Sequence, residues 1–373
     1  MLGPKCALRN GSAAGFSIDV HLRVPYPPGM KHEGFTLTVV DQSPLRRGGT
    51  AAEALGETVQ LAQVAEAAGY SRYWVAEHHN TGGFAGTSPE ILIGQIAART
   101  ARIRVGSGGV MLSHYSALKV AEQFSMLNSF YPGRIDLGIG RAPGSDQVTA
   151  QALAHPRPQV SIESFPEQVS DVLGYLYGFE GPRSVPIQAH PGPAAKEPPE
   201  VWLLGSSDYS AHLAALMGLP FAFAEFFGIT GKTGPQVAAM YREEFAPSRF
   251  LAEPKVNVTL QVLCAPTTEE AQFIAGTRRL QRADRFLRLG LGPGMRSPEE
   301  AAAFKLAPEQ RRYVEGLSHR QIDGDPETVR RGILEAAEEF GTKDIGIVTN
   351  CYRFADRVRS YQLVAEAFGL GGR

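Results

Sequence analysis

The segment TLTVVDQSPLRRGGTAAEALGETVQLAQVAEAAG (residues 36–69) decides the fold, because it contains one strand followed by one helix. Its first five residues are apolar or β-branched, as in a buried strand. Thr50 and Glu53 have the spacing of a capping box, in which a hydroxyl and a carboxylate cap the first turn reciprocally. Apolar residues then recur at helical spacing, and Gly69 is expected to end the helix. The segment is therefore predicted to be one βα unit.

The same unit recurs along the chain. The other predicted strands are 72–77, 103–107, 135–139, 201–204, 221–224, 256–263 and 344–348. Predicted helices follow them, among them 117–130, 165–177, 207–217 and 355–368. Eight strands that alternate with eight helices on mostly short loops predict parallel pairing. We therefore predict an α/β protein with a (β/α)8 TIM barrel and insertions, with a doubly wound open sheet as the alternative. Either fold carries its chemistry at the carboxyl ends of the strands.

Two segments interrupt this alternation. Residues 180–199 are rich in Pro and Gly and are predicted to be an irregular insertion. Between the seventh and eighth strands, five arginines lie within residues 278–288, and a glycine-rich stretch follows at 290–294. This second segment is interpreted either as a solvated helix and loop or as a mobile lid over the barrel mouth, since glycine permits hinge motion.

The charge balance of the chain excludes several classes of protein. Among 373 residues, 37 Lys and Arg stand against 38 Asp and Glu, which gives a formal net charge of −1. No basic surface is implied, so neither nucleic acid nor an acidic membrane is an expected partner. No apolar run approaches the roughly 18 residues that cross a bilayer. The cysteines (Cys6, Cys264 and Cys351) lack a paired spacing, which favours a reducing, cytoplasmic location.

Residues 1–34 show no clean hydrophobic period. Pro25, Pro27 and Pro28 lie shortly before Met30. We interpret the segment as a disordered N-terminal extension, or as sequence before a misassigned start with Met30 as the true initiator. A transit peptide is the remaining interpretation. The barrel domain is predicted to span residues 35–373.

The second predicted strand ends in Glu77-His78-His79. Side chains alternate faces along a strand, so a regular strand cannot point both histidines inward. A pair of histidines would also be half of a metal site, but catalytic zinc needs three protein ligands, and the sequence contains no HxH or HExxH. A structural role is another alternative. We favour one histidine that is catalytic or faces a cofactor, His78, and predict no metal.

Three later strand ends suit a flat or phosphorylated ligand. Gly108 and Gly109 permit close approach of the backbone to such a ligand, unless they form a plain turn. Arg141 suits a phosphate, unless it forms a salt bridge at the rim. The stretch Gly205-Ser206-Ser207 precedes a predicted helix, whose N-terminus is a ready anion site. Together with Arg141, this stretch predicts a phosphate pocket.

Three strings in this order resemble the bacterial luciferase-like monooxygenases, and in particular their standalone FMN-dependent oxidoreductases. They are VDQSP (40–44), WVAEHHN (74–80) and RIDLGIGRAPG (134–144). The resemblance extends over residues 36–368 and is densest over 37–146. Luciferase itself has a reactive cysteine where this chain has Gly140, so light emission is not implied. Glu225-Phe226 stands where relatives often place a histidine, which leaves the substrate open.

The resemblance implies a set of residues around a flavin. These are catalytic His78, a non-prolyl cis peptide at Gly108–Gly109 against the isoalloxazine ring, phosphate-binding Arg141, and the phosphate loop of Gly205, Ser206 and Ser207, with a further hydroxyl from Tyr209 or Ser210. With a reference pKa near 6.5, His78 would serve as acid or base at neutral pH.

The implied reaction is the oxidation of a small organic substrate, aldehyde-like or other, by reduced FMN and dioxygen. An NAD(P)H:flavin reductase would supply the reduced FMN, and a homodimer is the expected assembly. A deazaflavin-dependent hydride-transfer enzyme on the same barrel is the nearest alternative. A non-catalytic flavin-binding protein and a metal-dependent hydrolase are alternatives of other classes.

Overall fold

The computed structural model describes residues 34–141, 146–156, 161–179, 187, 189–191, 198–227, 232–316 and 320–370. Residues 31–373 form one compact unit. The predicted N-terminal extension, residues 1–34, lies outside the described residues except for Gly34. Most of the predicted insertion at 180–199 also lies outside them.

The strands are β1 (Thr36–Asp41), β2 (Arg72–Val75), β3 (Arg104–Ser107), β4 (Val110–Met111), β5 (Ile135–Gly140), β6 (Glu200–Gly205), β7 (Phe221–Ala224), β8 (Val256–Cys264), β9 (Gln321–Gly324) and β10 (Asp344–Val348). The helices are α1 (Ala51–Ala68), α2 (Pro89–Ala97), α3 (Ala117–Phe130), α4 (Gln147–Ala154), α5 (Phe165–Tyr177), α6 (Asp208–Met217), α7 (Gly234–Glu244), α8 (Thr268–Leu287), α9 (Pro298–Ala303), α10 (Pro308–Gly316), α11 (Pro326–Phe340) and α12 (Phe354–Ala367).

Eight parallel strands close into a barrel. The order is β1-β2-β3-β5-β6-β7-β8-β10, and β10 pairs with β1 to complete the ring. β4 continues the β3 position by pairing with β5, and β9 pairs with the carboxyl end of β8. The predicted (β/α)8 barrel is confirmed, and the alternative of an open sheet is wrong because the two edges pair with each other.

Local capping chemistry sets the bounds of α1. The Glu53 amide donates to Thr50 Oγ1 at 3.2 Å, and the Thr50 amide donates to Glu53 Oε2 at 2.8 Å. Gly69 ends the helix at φ 91°, a left-handed conformation that residues with a Cβ rarely adopt. The predicted capping box and helix stop are both confirmed.

β2 is shorter than predicted, since it ends at Val75 and not at Glu77. The Ala76 amide still donates to the Asp41 carbonyl at 2.8 Å, but the His78 amide donates to the carbonyl of Gly86 at 2.9 Å. The chain has therefore left the sheet before the two histidines, and the loop after β2 folds back over its end.

Ion pairs between residues near the starts of the strands fill one end of the barrel, here called the lower end. Buried Arg72 reaches Asp344 at 3.0 Å and Asp136 at 3.5 Å. Arg104 also donates to Asp136 at 2.9 Å, and burial raises the pKa of this carboxyl although both arginines oppose the rise. Above them the rings of Trp74 and Trp202 meet edge to face, with centroids 5.3 Å apart. The open end of the barrel is therefore the one at the carboxyl ends of the strands.

No helix among the described residues combines the length and the apolar character needed to cross a bilayer.

Candidate active site

The predicted site residues follow four consecutive strands of the barrel at one rim. His78 follows β2, Gly108–Gly109 follow β3, Arg141 follows β5, and Ser206–Ser207 follow β6. In the ring, β2 neighbours β3, β3 neighbours β5, and β5 neighbours β6. Neighbouring strands lie roughly 4.8 Å apart, so three steps span about 15 Å. The strand order therefore places the four groups along one half of the rim, which forms one face of the barrel mouth.

Bare backbone lines this face between β3 and β5. The peptide bond between Gly108 and Gly109 is cis, as the resemblance implied. A Cβ added to Gly109 would lie 2.8 Å from the Gly138 carbonyl oxygen, and one added to Gly108 would lie 3.1 Å from Trp74 Cβ. Ser107 Oγ donates to the same Gly138 carbonyl at 2.8 Å. The 2.8 Å contact excludes a side chain at Gly109 and the 3.1 Å contact leaves little room at Gly108, so close packing of the chain already favours glycine at both positions.

The imidazole of His78 has a ring nitrogen without a partner. Its Nδ1 is buried and has no hydrogen-bond partner among the described residues. The ring lies against Phe84, with centroids 4.6 Å apart. Burial, with a smaller contribution from the Arg285 charge, lowers the pKa of His78 to about 4. At this pKa the ring is neutral at neutral pH, whereas the sequence analysis started from the reference value near 6.5, which does not include burial.

Glu77 is a polar centre to which the sequence analysis gave no role. The side chain is fully buried. Its carboxylate accepts hydrogen bonds from Tyr115 Oη at 2.7 Å and from the Met111 amide at 3.0 Å, and it pairs with His79 Nε2 at 2.8 Å. His79 is thus held by Glu77, while His78 keeps an unpartnered nitrogen. The only signal in the sequence was a carboxylate directly before the two histidines.

A cation and a helix N-terminus meet at the end of β6. The Arg141 guanidinium lies over the ring of Tyr209, 4.0 Å from its centroid. Ser207 is the N-cap residue of α6, and its side chain makes no capping hydrogen bond. A Cβ on Gly205 would lie 2.3 Å from Ser210 Oγ, so the turn into α6 requires glycine. An arginine beside the first turn of a helix suits a phosphate monoester.

β7 contributes an aromatic side chain to the mouth. Glu225 and Phe226 form a short 3₁₀ helix directly after β7. Phe226 packs on the interior cluster around Trp74 and Trp202. Burial raises the pKa of Glu225.

The arginine-rich segment between β8 and β9 is only partly solvated. Arg278 is 8% exposed and donates to Asp323 Oδ1 at 2.8 Å, so its interpretation as a solvated residue is wrong. The glycine-rich stretch is tied to the loops after β1 and β2, because the Gly294 amide donates to the Gly82 carbonyl at 3.0 Å and the Met295 amide to the Leu45 carbonyl at 2.8 Å. It lies on the His78 side of the mouth, and its motion as a lid stays a prediction.

Within the described ranges, no group of three or more His, Cys, Asp or Glu side chains is arranged to hold a metal ion.

Known proteins similar to this chain agree on one family. The sequence profile of the luciferase-like monooxygenases matches residues 30–344. A luciferase-like monooxygenase of Escherichia coli (strain K12) is 37% identical over 338 residues, which are 90% of this chain and 98% of that protein. The N-acetyl-S-alkylcysteine monooxygenase of Bacillus subtilis (strain 168) is 34% identical over 333 residues, 89% of this chain and 97% of that protein. The crystal structure of apo-MsnO8, 37% identical, covers 91% of this chain and 100% of its own, with a TM-score of 0.82.

More distant structures share the barrel. The oxygenating constituent of 3,6-diketocamphane monooxygenase from Pseudomonas putida, in complex with FMN, has a TM-score of 0.63 at 18% identity, and covers 89% of this chain and 97% of its own. An F420-dependent secondary alcohol dehydrogenase has a TM-score of 0.60 at 14% identity, and covers 90% and 99%. These two likenesses concern the fold alone. With the family profile and the closer relatives, the chain belongs to the luciferase-like flavin-dependent monooxygenases.

Proposed function

We propose that this protein is an FMN-dependent monooxygenase that uses reduced FMN and dioxygen to oxidise a small organic substrate. The proposal rests on the residues that lie together at this rim of the barrel. An unpartnered buried nitrogen of His78, the bare Gly108–Gly109 backbone and Arg141 beside the N-terminus of α6 follow neighbouring strands at one end of the barrel.

The residues of the rim fit the parts of FMN. Arg141 and the first amides of α6 would hold the phosphate, with Ser206 and Ser207 beside them, since guanidinium and helix N-terminus both favour a dianion. Tyr209 supports the guanidinium through its ring. Gly108–Gly109 would offer backbone to the ring system. Reduced flavin supplies the electrons with which dioxygen is activated, and the barrel supplies orientation and exclusion of water.

His78 would act as a neutral group. Its pKa of about 4 keeps the proton off one ring nitrogen at neutral pH, so Nδ1 can accept or donate one hydrogen bond according to the tautomer. A bound ligand would satisfy this buried nitrogen. A His78→Ala variant with unchanged substrate turnover would contradict the role.

The cofactor is tested by titration. One distant structure holds FMN and another an F420 adduct, so purified protein is titrated with FMN and with the deazaflavin separately. We expect binding of FMN, and oxygen consumption that depends on substrate when a flavin reductase and NAD(P)H are present. Tight binding of the deazaflavin alone, with no oxygen consumed, would favour the hydride-transfer enzyme. Bound FMN with no turnover of any substrate would favour a non-catalytic flavin-binding protein.

The first substrates to assay are N-acetyl-S-alkylcysteines, because a relative 34% identical to this chain is named for them. Long-chain aldehydes are the second class. A homodimer and a cytoplasmic location are also proposed, and light scattering of the purified chain and fractionation of cells test them.

A further inference from the structure

A cavity of about 250 Å³ lies next to the candidate active site, between the loop after β2 and the end of α8. Phe84, which contacts the ring of His78, forms one wall. Leu280, Leu291 and Pro293 add apolar surface. The proposed flavin-binding groups are not among the lining residues, so the cavity adjoins the candidate active site at Phe84 without including those groups.

A buried hydroxyl without a partner lies in this wall. Thr277 lines the cavity and is 1% exposed, and its Oγ1 has no hydrogen-bond partner among the described residues. A buried polar group left unpaired costs roughly 1–3 kcal/mol. Such a group is rare in folded proteins unless a ligand or a water satisfies it. The oxygen is closed off from solvent, so a ligand or a water would reach it only after the side chain turns toward the cavity.

The charges around the cavity favour an anion. Two arginines line it. One of them, Arg296, already has partners, since it donates to the Leu291 carbonyl and lies 3.6 Å from Glu300. The carboxylate of Asp284 also lines it but accepts from the Leu291 amide at 3.1 Å. Arg285 lines it too; its side chain is exposed and forms no hydrogen bond or ion pair with any residue that the structure describes. Its charge is close enough to His78 to contribute to the lowered pKa of that ring.

We propose that this cavity binds the substrate and that the substrate is a small organic carboxylate, held by Arg285 and Thr277 with its apolar part against Phe84. A guanidinium matches the geometry of a carboxylate, and the hydroxyl of Thr277 can donate to the same group. Phe84, Leu280 and Leu291 offer a carbon chain an apolar surface that a bare inorganic anion would not use. An anion held at Arg285 leaves the rest of the molecule on the side of Phe84 and His78. The inference rests on the proposed function only in naming the ligand as a substrate.

Calorimetric titration of the full chain, with and without added FMN, tests the proposal with hexanoate and its neutral analogue hexanamide. The variants are Arg285→Gln and, as a matched control, Arg288→Gln, which removes an exposed arginine outside the cavity from the same helix end. We expect hexanoate to bind the unchanged chain and Arg288→Gln alike. Arg285→Gln should bind it at least about tenfold more weakly, which corresponds to about 1.4 kcal/mol. Hexanamide should not distinguish the three proteins.

Three outcomes would overturn the proposal. The first is equal affinity for hexanoate and hexanamide, including the case in which neither binds. The second is an equal loss of hexanoate affinity in both variants. The third is displacement of hexanoate by inorganic phosphate at the same concentration. The dissociation constant of FMN is measured on the same proteins and should not change. Failure of FMN to bind with hexanoate binding intact would reject the proposed function but not the carboxylate site.

Discussion

Replacing His78 by Gln tests whether the barrel holds this ring neutral. Burial, helped by the charge of Arg285, lowers the pKa of His78 from 6.5 to about 4 in the folded chain. Because this pKa lies below the unfolded-state value, the unfolded chain binds the proton more tightly. The stabilisation is therefore complete above about pH 6.5 and is lost as the pH falls toward 4.

The size of the effect follows from the two pKa values. The difference between 6.5 and about 4 corresponds to about 3 kcal/mol once both states are protonated. Between about pH 7 and pH 5 the unfolded chain takes up most of its proton and the folded chain takes up little, so about 2 kcal/mol is lost. The side chain is partly exposed, and solvent screening makes this an upper value.

Urea unfolding of the unchanged chain and of His78→Gln over this pH range measures the effect. Every other residue is common to the two proteins, so the informative quantity is the difference between the two curves of unfolding free energy against pH. The unchanged chain should lose up to about 2 kcal/mol more than the variant on going to about pH 5. Parallel curves, or an NMR titration of His78 with its midpoint near 6.5, would refute the reasoning.

Further substitutions probe the remaining groups. Arg141→Ala should weaken FMN binding roughly 10- to 150-fold, by loss of a charge-assisted hydrogen bond, and fluorescence titration that gives an unchanged dissociation constant would rule out the phosphate role. Gly109→Ala places a Cβ 2.8 Å from the Gly138 carbonyl oxygen, so it should lower the unfolding free energy by about 1–3 kcal/mol, whereas Gly56→Ala, in the open middle of α1, should raise it by about 0.5–1 kcal/mol. Thr277→Val removes a buried hydroxyl that has no partner, so thermal unfolding should show equal or greater stability; a clear loss would reveal a partner.

Most of the barrel could be predicted from the sequence because its signals are local. The strand–helix alternation and the capping box at Thr50 and Glu53 depend on residues a few positions apart, and the bounds of α3 and α5 agree with those predicted. The glycines after β3 and the arginine after β5 were placed at the mouth by the same alternation. Their roles toward a cofactor stay proposals.

The part that could not be predicted depends on long-range pairing. β9 has only four residues and is stabilised by the edge of β8. α11, which follows it, was also missed, although Asp325 at its N-cap and Gly341 at its end are local signals of a helix. From the sequence alone, Arg278 is interpreted as a solvated helical residue. In the structure it donates to Asp323, which is 45 positions away. The low pKa of His78 likewise comes from burial under the loop after β2, which no short window of sequence reports.

The charged cluster of Arg72, Arg104, Asp136 and Asp344 at the lower end affects how ligands enter and leave the barrel. Among the described residues it fills the end of the barrel at which the strands begin, so a ligand is expected to enter at the opposite end, where His78 lies. If flavin and substrate share that entrance, the one that binds deeper must enter first. A bulky product must also depart before the molecule beneath it can be exchanged.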